Sequence, residues 1–145
     1  MEHLLAIGDY VITHPLGIFL AILVSYAVGF MWHGPLFGKP WMKANKISPP
    51  KPEDVKFSMM APGLTANFFL VLAQSAVLGR TFQIVSLNGI GQALLIATII
   101  WLPFTALVIV NIYAWVGRPV MAMVLDCAHA LVALWAVAAV LYVTL

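Results

Sequence analysis

The chain has 145 residues, enough for one domain, and 63% of them are hydrophobic while only 8% are charged. A soluble domain carries roughly a quarter charged residues, so polar side chains are too few to cover a water-exposed surface, and the mean hydropathy of +1.03 points to lipid as the main solvent. The net charge is +2, with five of the seven Lys and Arg residues falling between Lys39 and Lys56. Beside an apolar segment, such a cluster is first a membrane-topology signal, and no basic face interleaved with aromatics supports nucleic-acid binding.

Residues 1–14 hold Glu2 and Asp9 but no Lys or Arg, which does not resemble the basic start of a cleaved signal. Their mixed character predicts a short amphipathic interfacial turn leading into Pro15, a residue suited to the first position of a helix. Crossing a bilayer takes about 20 mostly apolar residues in a helix. Four stretches qualify, at about 16–36, 58–78, 90–114 and 120–142. Runs such as ALLIATIIWL do not alternate polar and apolar residues, which excludes a closed barrel. The expected fold is therefore all-α, a single integral membrane domain over 1–145 built as a four-transmembrane-helix antiparallel bundle, since short links make antiparallel neighbours.

The one substantial connection, residues 38–57, is a basic, proline-containing loop. Pro49, Pro50 and Pro52 stiffen it, and Pro52 followed by Glu53 and Asp54 has the character of a helix start. Pro62 with Gly63 predicts a kink or break early in the second span, and Pro103 a bend midway along the third.

Lys39, Lys43, Lys46, Lys51, Lys56 and Arg118 fall on one side of this topology and Arg80 alone on the other. The positive-inside rule then places the lysine-rich loop in the cytoplasm and both termini outside it, in a plasma (inner) membrane. Trp32, Trp41 and Trp115 fall near that cytoplasmic boundary, as an aromatic belt would.

Polar residues within the spans are costly and therefore informative. Gly17, Ala21, Ser25 and Gly29 recur every four residues and form a small-residue stripe that permits close helix approach. Asp126 is the one acid deep within a span, about two turns from Arg118 at roughly 1.5 Å per residue. An unpaired carboxylate is expensive there, and the candidate partners are His33, His129, Asn111 and a snorkelling lysine. His33, Asn67, Asn111, Asp126 and His129 all fall in the cytoplasmic half, so one polar layer could join the four helices as packing glue, as a ligand or proton site, or as a metal site. His33, Asp126 and His129 are the metal candidates, though only the Asp126–His129 spacing of three is locally defined. Gln74, Ser75, Gln92, Thr98 and Thr105 can bond between helices without implying chemistry. Cys127, alone in an apolar run, reads as a small buried hydrophobe.

Two segments, GFMWHGPLFGKPWMK at 29–43 and NIYAWVGRPVMAMVLD at 111–126, together resemble the small bacterial membrane family known as domain of unknown function 1761. The matching residues are Gly29, Trp32, Pro35, Phe37, Gly38, Lys39, Trp41, Asn111, Arg118, Pro119 and Asp126. The resemblance implies four membrane helices and no established activity. His33 stands where that family often has tyrosine, which argues against an indispensable histidine metal ligand.

No phosphate loop, nucleophile elbow or zincin motif is present, and no cofactor is implied. The leading expectation is a non-enzymatic subunit that binds a partner or stabilises an assembly, with the bilayer, further copies of itself or other membrane proteins as partners. The alternatives are a small oligomeric transporter or channel-like subunit that handles a proton, ion or polar solute around Asp126, and a metal- or cofactor-binding subunit using His33 or His129.

Overall fold

The computed structural model describes residues 2–49, 51 and 56–145. Helix α1 (Glu2–Thr13) leads into α2 (Pro15–Met31), which ends in a π turn, Trp32–Leu36. A short helix α3 (Gly38–Asn45) follows, then α4 (Phe57–Val85) and α5 (Ile90–Trp101). A second π turn, Leu102–Ala106, joins α5 to α6 (Leu107–Val116), and α7 (Val120–Thr144) closes the fold. Among the described residues, four spans are long and apolar enough to cross a membrane: Pro15–Leu36, Phe57–Val85, Ile90–Val116 and Val120–Thr144. The protein is thus an all-α, multi-pass membrane bundle.

Successive spans run antiparallel, as the pairs bridging them show. His14 meets Gln83 while Tyr26 meets Leu64, and Trp135 meets Thr98 while Cys127 meets Ala106. Helix α7 is the hub and touches α2 through α6, most extensively α2. The small-residue stripe of α2 seats this contact. Ala21 is fully buried and Ser25 nearly so. A Cβ on Gly17 would stand 2.5 Å from Thr144 Oγ1, and one on Gly29 3.6 Å from His129 Nε2. On the other faces of α7, Ala93, Ala97, Ala122 and Ala138 are likewise sealed from solvent. Small residues at the crossings let backbones approach, which is how helices gain dispersion energy where no water is displaced.

The prolines are accommodated within helical segments. Pro35 and Pro103 both fall inside π turns, and the helices continue through them. Proline removes one amide donor and crowds the preceding turn; widening the turn by one residue accommodates the ring. Each π turn closes with a bond five residues back, Phe37 N to Trp32 O at 2.8 Å and Leu107 N to Leu102 O. Pro62 produces no break, and α4 runs from Phe57 to Val85 through it.

Three segments depart from expectation. The N-terminal stretch is a twelve-residue helix rather than a turn. Tyr10 is buried, lies directly against Gly79 of α4 and stacks on His14 at 4.3 Å. Helix α4 also extends past Leu78 to Val85, because Phe82 is buried and Gln83 meets both Arg80 and His14. Finally, the 38–57 connection is not all loop, since its first eight residues form α3. A left-handed Lys46 ends α3, and the bonds Lys46 N to Lys43 O and Ile47 N to Met42 O close its last turn. The helix start expected at Pro52–Asp54 lies outside the described residues.

Gly79 tests the docking of α1, because a methyl group there must displace a ring that is itself buried. Gly79→Ala should cost about 1–3 kcal/mol through overpacking. Gly63→Ala, where a Cβ meets nothing, should be neutral or stabilise by up to about 1 kcal/mol. Thermal melts in detergent read both, and an unchanged midpoint for Gly79→Ala would contradict the docking.

Candidate functional site: a clasped carboxylate beside a polar cavity

Asp126 lies on α7, two turns above the tight link from α6. That link is short because Gly117 adopts the left-handed conformation (φ 66°), which caps α6 with Gly117 N to Ala114 O and Arg118 N to Tyr113 O. The reversal places the last turns of α6 against the first turns of α7. Tyr113 is therefore carried to Asp126, and its hydroxyl donates to Oδ2. The other oxygen, Oδ1, accepts from Trp41 Nε1 at 2.8 Å. Trp41 comes from α3, whose folding back onto α7 makes the contact possible. The Arg118 guanidinium stands 5.5 Å from the centre of the Tyr113 ring, a cation–π distance. Both carboxylate oxygens are thus engaged, which relieves the main cost of placing the group within a span.

The partners of Asp126 are neither His33, His129, Asn111 nor a lysine. Trp41 was expected in an interfacial belt and instead clasps the carboxylate. Trp32 is also buried, packed on Phe37 at 4.3 Å, and of the three boundary tryptophans Trp115 is the strongly exposed one, at 85%. Asn111 is exposed, two residues before the buried Tyr113 and so on the opposite side of α6. The residues expected to share one polar layer therefore separate into two neighbouring groups and one outlier.

The second group centres on His129, one turn along α7 from Asp126. Its ring lies 4.6 Å from that of His33 at 70°, and 5.9 Å from Trp32. His33 is exposed at the end of α2, meets Trp41 edge-on at 5.3 Å, and its Nδ1 donates to the Gly29 carbonyl at 3.2 Å. Among the described residues, neither His129 Nε2 nor Trp32 Nε1, both buried, has a hydrogen-bond partner. His129 also lines a cavity of about 110 Å³ between the four spans. The polar part of its lining comes from each of them, Ser25 of α2, Asn67 and Gln74 of α4, Thr105 of the second π turn and His129 itself, and the rest of the wall is apolar, built from Leu70, Val71 and Leu134 with two alanines of α7. Sequence reasoning had Gln74 and Thr105 as generic interhelical donors and Ser25 as a packing residue; only a three-dimensional arrangement shows them converging.

Among the described residues, no three His, Cys, Asp or Glu side chains stand close enough to hold a metal ion together. His33, Asp126 and His129 do not form a ligand set, because Asp126 turns its oxygens to Trp41 and Tyr113. Cys127 Sγ points to the Ala106 carbonyl at 3.9 Å and does not join the site.

The two sequence segments that carried the family resemblance meet here. Trp41 of the first binds Asp126 of the second, while Gly29, Trp32 and Phe37 pack around His129 and its neighbours. The sequence profile described as "Protein of unknown function (DUF1761)" matches residues 16–142. The chain belongs to this family. The match takes in all four spans but for their outermost residues, Pro15, Val143 and Thr144, and the whole of the site. No curated protein and no solved structure matches the chain. In this DUF1761 protein, Trp41 and Asp126 of the two motifs form the clasp, and Gly29, Trp32 and Phe37 pack beside it.

The clasp makes a graded prediction. Trp41→Phe keeps an aromatic ring but removes the donor to Oδ1, and should cost about 1–3 kcal/mol. The loss should be local, so amide hydrogen exchange over residues 38–45 should accelerate while that of α5 stays unchanged. Exchange that is the same in both proteins would mean that α3 is held by something other than this bond.

Proposed function

We propose that this membrane protein handles protons through His129 and the polar cavity beside it. The observations that carry the reading are the place of His129 in the lining of a cavity to which all four spans contribute polar groups, and its Nε2, which is buried toward Gly29 without a hydrogen-bond partner among the described residues. A buried polar atom without a protein partner calls for one from outside the chain. The volume decides which kind. Pockets for drug-sized ligands run to about 300–1,000 Å³, and about 110 Å³ is too small for one. It suffices for a few waters, and the lining supplies the several hydrogen-bonding groups that buried waters need. Imidazole is the side chain whose ordinary titration range lies nearest physiological pH. A second imidazole, His33, stands in ring contact with His129 and reaches the surface. The pair thus links an exposed group to an intramembrane polar space.

In this reading Asp126 is structural. Its oxygens hold α3 and α6 to α7 and so fix the wall that carries His33 and His129. The assembly role suggested by small size and the glycine stripe receives less support, because that stripe is consumed inside the bundle. Gly17 faces Thr144 and Gly29 faces His129 of the same chain. A proton path also needs no large rocking motion, which four helices are few to perform.

The test is proton flux in proteoliposomes with a trapped pH dye and an imposed potassium diffusion potential. The wild-type protein should dissipate the potential with proton entry above that of protein-free vesicles. His129→Leu should fall to the protein-free rate while retaining the wild-type melting profile. Wild-type vesicles indistinguishable from protein-free ones would end the proposal.

We further propose that the protein lies in a bacterial inner membrane with the α3 end cytoplasmic and both termini outside. Support comes from the six basic residues at that end against Arg80 at the other. An alkaline phosphatase fused after Leu145, active only when exported, should be active, whereas the same enzyme inserted after Lys46 should be silent. The opposite pattern would invert the topology and with it the side from which His33 is reached.

A further inference from the structure

A second site lies at the same end of the bundle but outside the polar cavity. Where α3 ends and the α6–α7 link turns, residues 45–47 and 117–119 enclose a surface pocket of about 310 Å³. Two cationic side chains line it, Lys46 and Arg118, and among the described residues no acidic one does. Its walls are two tight turns, each built around a residue in the left-handed conformation, Lys46 (φ 56°) and Gly117 (φ 66°). The bonds that close these turns hold the cation-bearing backbone in place. The clasp between Trp41 and Asp126 pins α3 against α7, so the two walls are fixed to one another. Arg118 is oriented further by its contact with the Tyr113 ring.

The depth of the pocket identifies its ligand class. Residues 117–119 separate the spans that end at Val116 and begin at Val120, so the pocket lies where hydrocarbon gives way to headgroups. Trp115, strongly exposed two residues before Gly117, marks the same level. The anion most concentrated at that depth is the lipid phosphate, and basic pockets at the ends of membrane helices are suited to it. Arg118 can present two parallel N–H donors to phosphate oxygens, and Lys46 adds a point charge from the opposite wall. We propose that this pocket binds the phosphate group of an anionic phospholipid.

The experiment places the purified protein in nanodiscs of phosphatidylcholine doped with phosphatidylglycerol or cardiolipin, releases it, and counts retained lipids by native mass spectrometry. One retained anionic lipid per chain is expected, and none from phosphatidylcholine alone. A lysine or arginine near a membrane surface is worth about a fivefold change in anionic-lipid affinity. Lys46→Gln and Arg118→Gln should each weaken retention by about that factor, and the double variant by about twenty-five-fold. Arg118→Lys, which keeps the charge and loses the fork, should fall between wild type and Arg118→Gln. Lys46→Gln leaves the clasp untouched, so its effect is read without disturbing Asp126. Lys56→Gln removes the same charge from outside the pocket and should retain lipid as wild type does. Equal losses for Lys56→Gln and Lys46→Gln would reduce the effect to diffuse surface charge and overturn the site. Displacement of the lipid by inorganic phosphate would assign the pocket to free phosphate and overturn the lipid source. Proton flux through His129 is read independently, so either proposal can fail alone.

Discussion

A carboxylate within a membrane span has to find its hydrogen-bond donors inside the chain, and the way Asp126 does so organises one whole end of this bundle. Neither donor is close to it in sequence by helical spacing. Tyr113 arrives through the α6–α7 reversal, and Trp41 lies 85 residues away on a helix with few other reasons to form. GKPWMKAN is short and polar and carries Pro40. An isolated helix of eight residues is far below the length at which helices persist in water. Its conformation is therefore tied to the partner it reaches. By holding Trp41, Asp126 converts the start of a basic loop into a lid over the end of α7.

That lid matters because of what α7 carries one turn further on. His129 follows Asp126 by three residues, so fixing the azimuth of one fixes that of the other. The close approach of α2, set by Gly17, Ala21, Ser25 and Gly29, then brings His33 and Trp32 against the His129 ring. The same stripe that excludes lipid between α2 and α7 also leaves Ser25 facing the cavity. Packing and polarity are thus two results of one choice of small side chains. A leucine at Gly29 would fill the space in front of His129, and the imidazole would lose its polar surroundings along with its room.

The four spans were legible because length and hydropathy alone specify a crossing helix, and lipid leaves the backbone few alternatives. Their rotations were not. A helix that is apolar all round gives no amphipathic signal, so nothing in LVIVNIYAWV told that Tyr113 faces α7 while Asn111, two residues earlier, faces away. The π turn at Leu102–Ala106 compounds this, since one added residue in a turn rotates everything beyond it. The small-residue stripe on α2 was readable because its four-residue spacing needs no knowledge of the partner. Asp126 was readable as a costly group, but its donors depended on α3, and α3 in turn depended on Asp126. A mutual dependence between distant segments leaves no local trace. The paired motifs, 29–43 and 111–126, were the one signal that contained both Trp41 and Asp126.

The two π turns bear on how a polar site can exist here at all. In hydrocarbon, irregular backbone is tolerated only where it is covered by protein or lines a polar space, and π turns tend to occur at functional sites. The two described turns flank the same region. Trp32–Leu36 carries Trp32 and His33 to the His129 ring, and Leu102–Ala106 carries Thr105 to the cavity wall. The added residue of the Leu102–Ala106 turn rotates α6, and with it Tyr113, relative to α5. The carbonyl of Ala106, at the end of the second turn, faces the Cys127 thiol, between Asp126 and His129 in sequence. Pro35 and Pro103, the residues that most disfavour a regular helix, thus stand where the register must shift for the clasp and the cavity to be built from the same four spans.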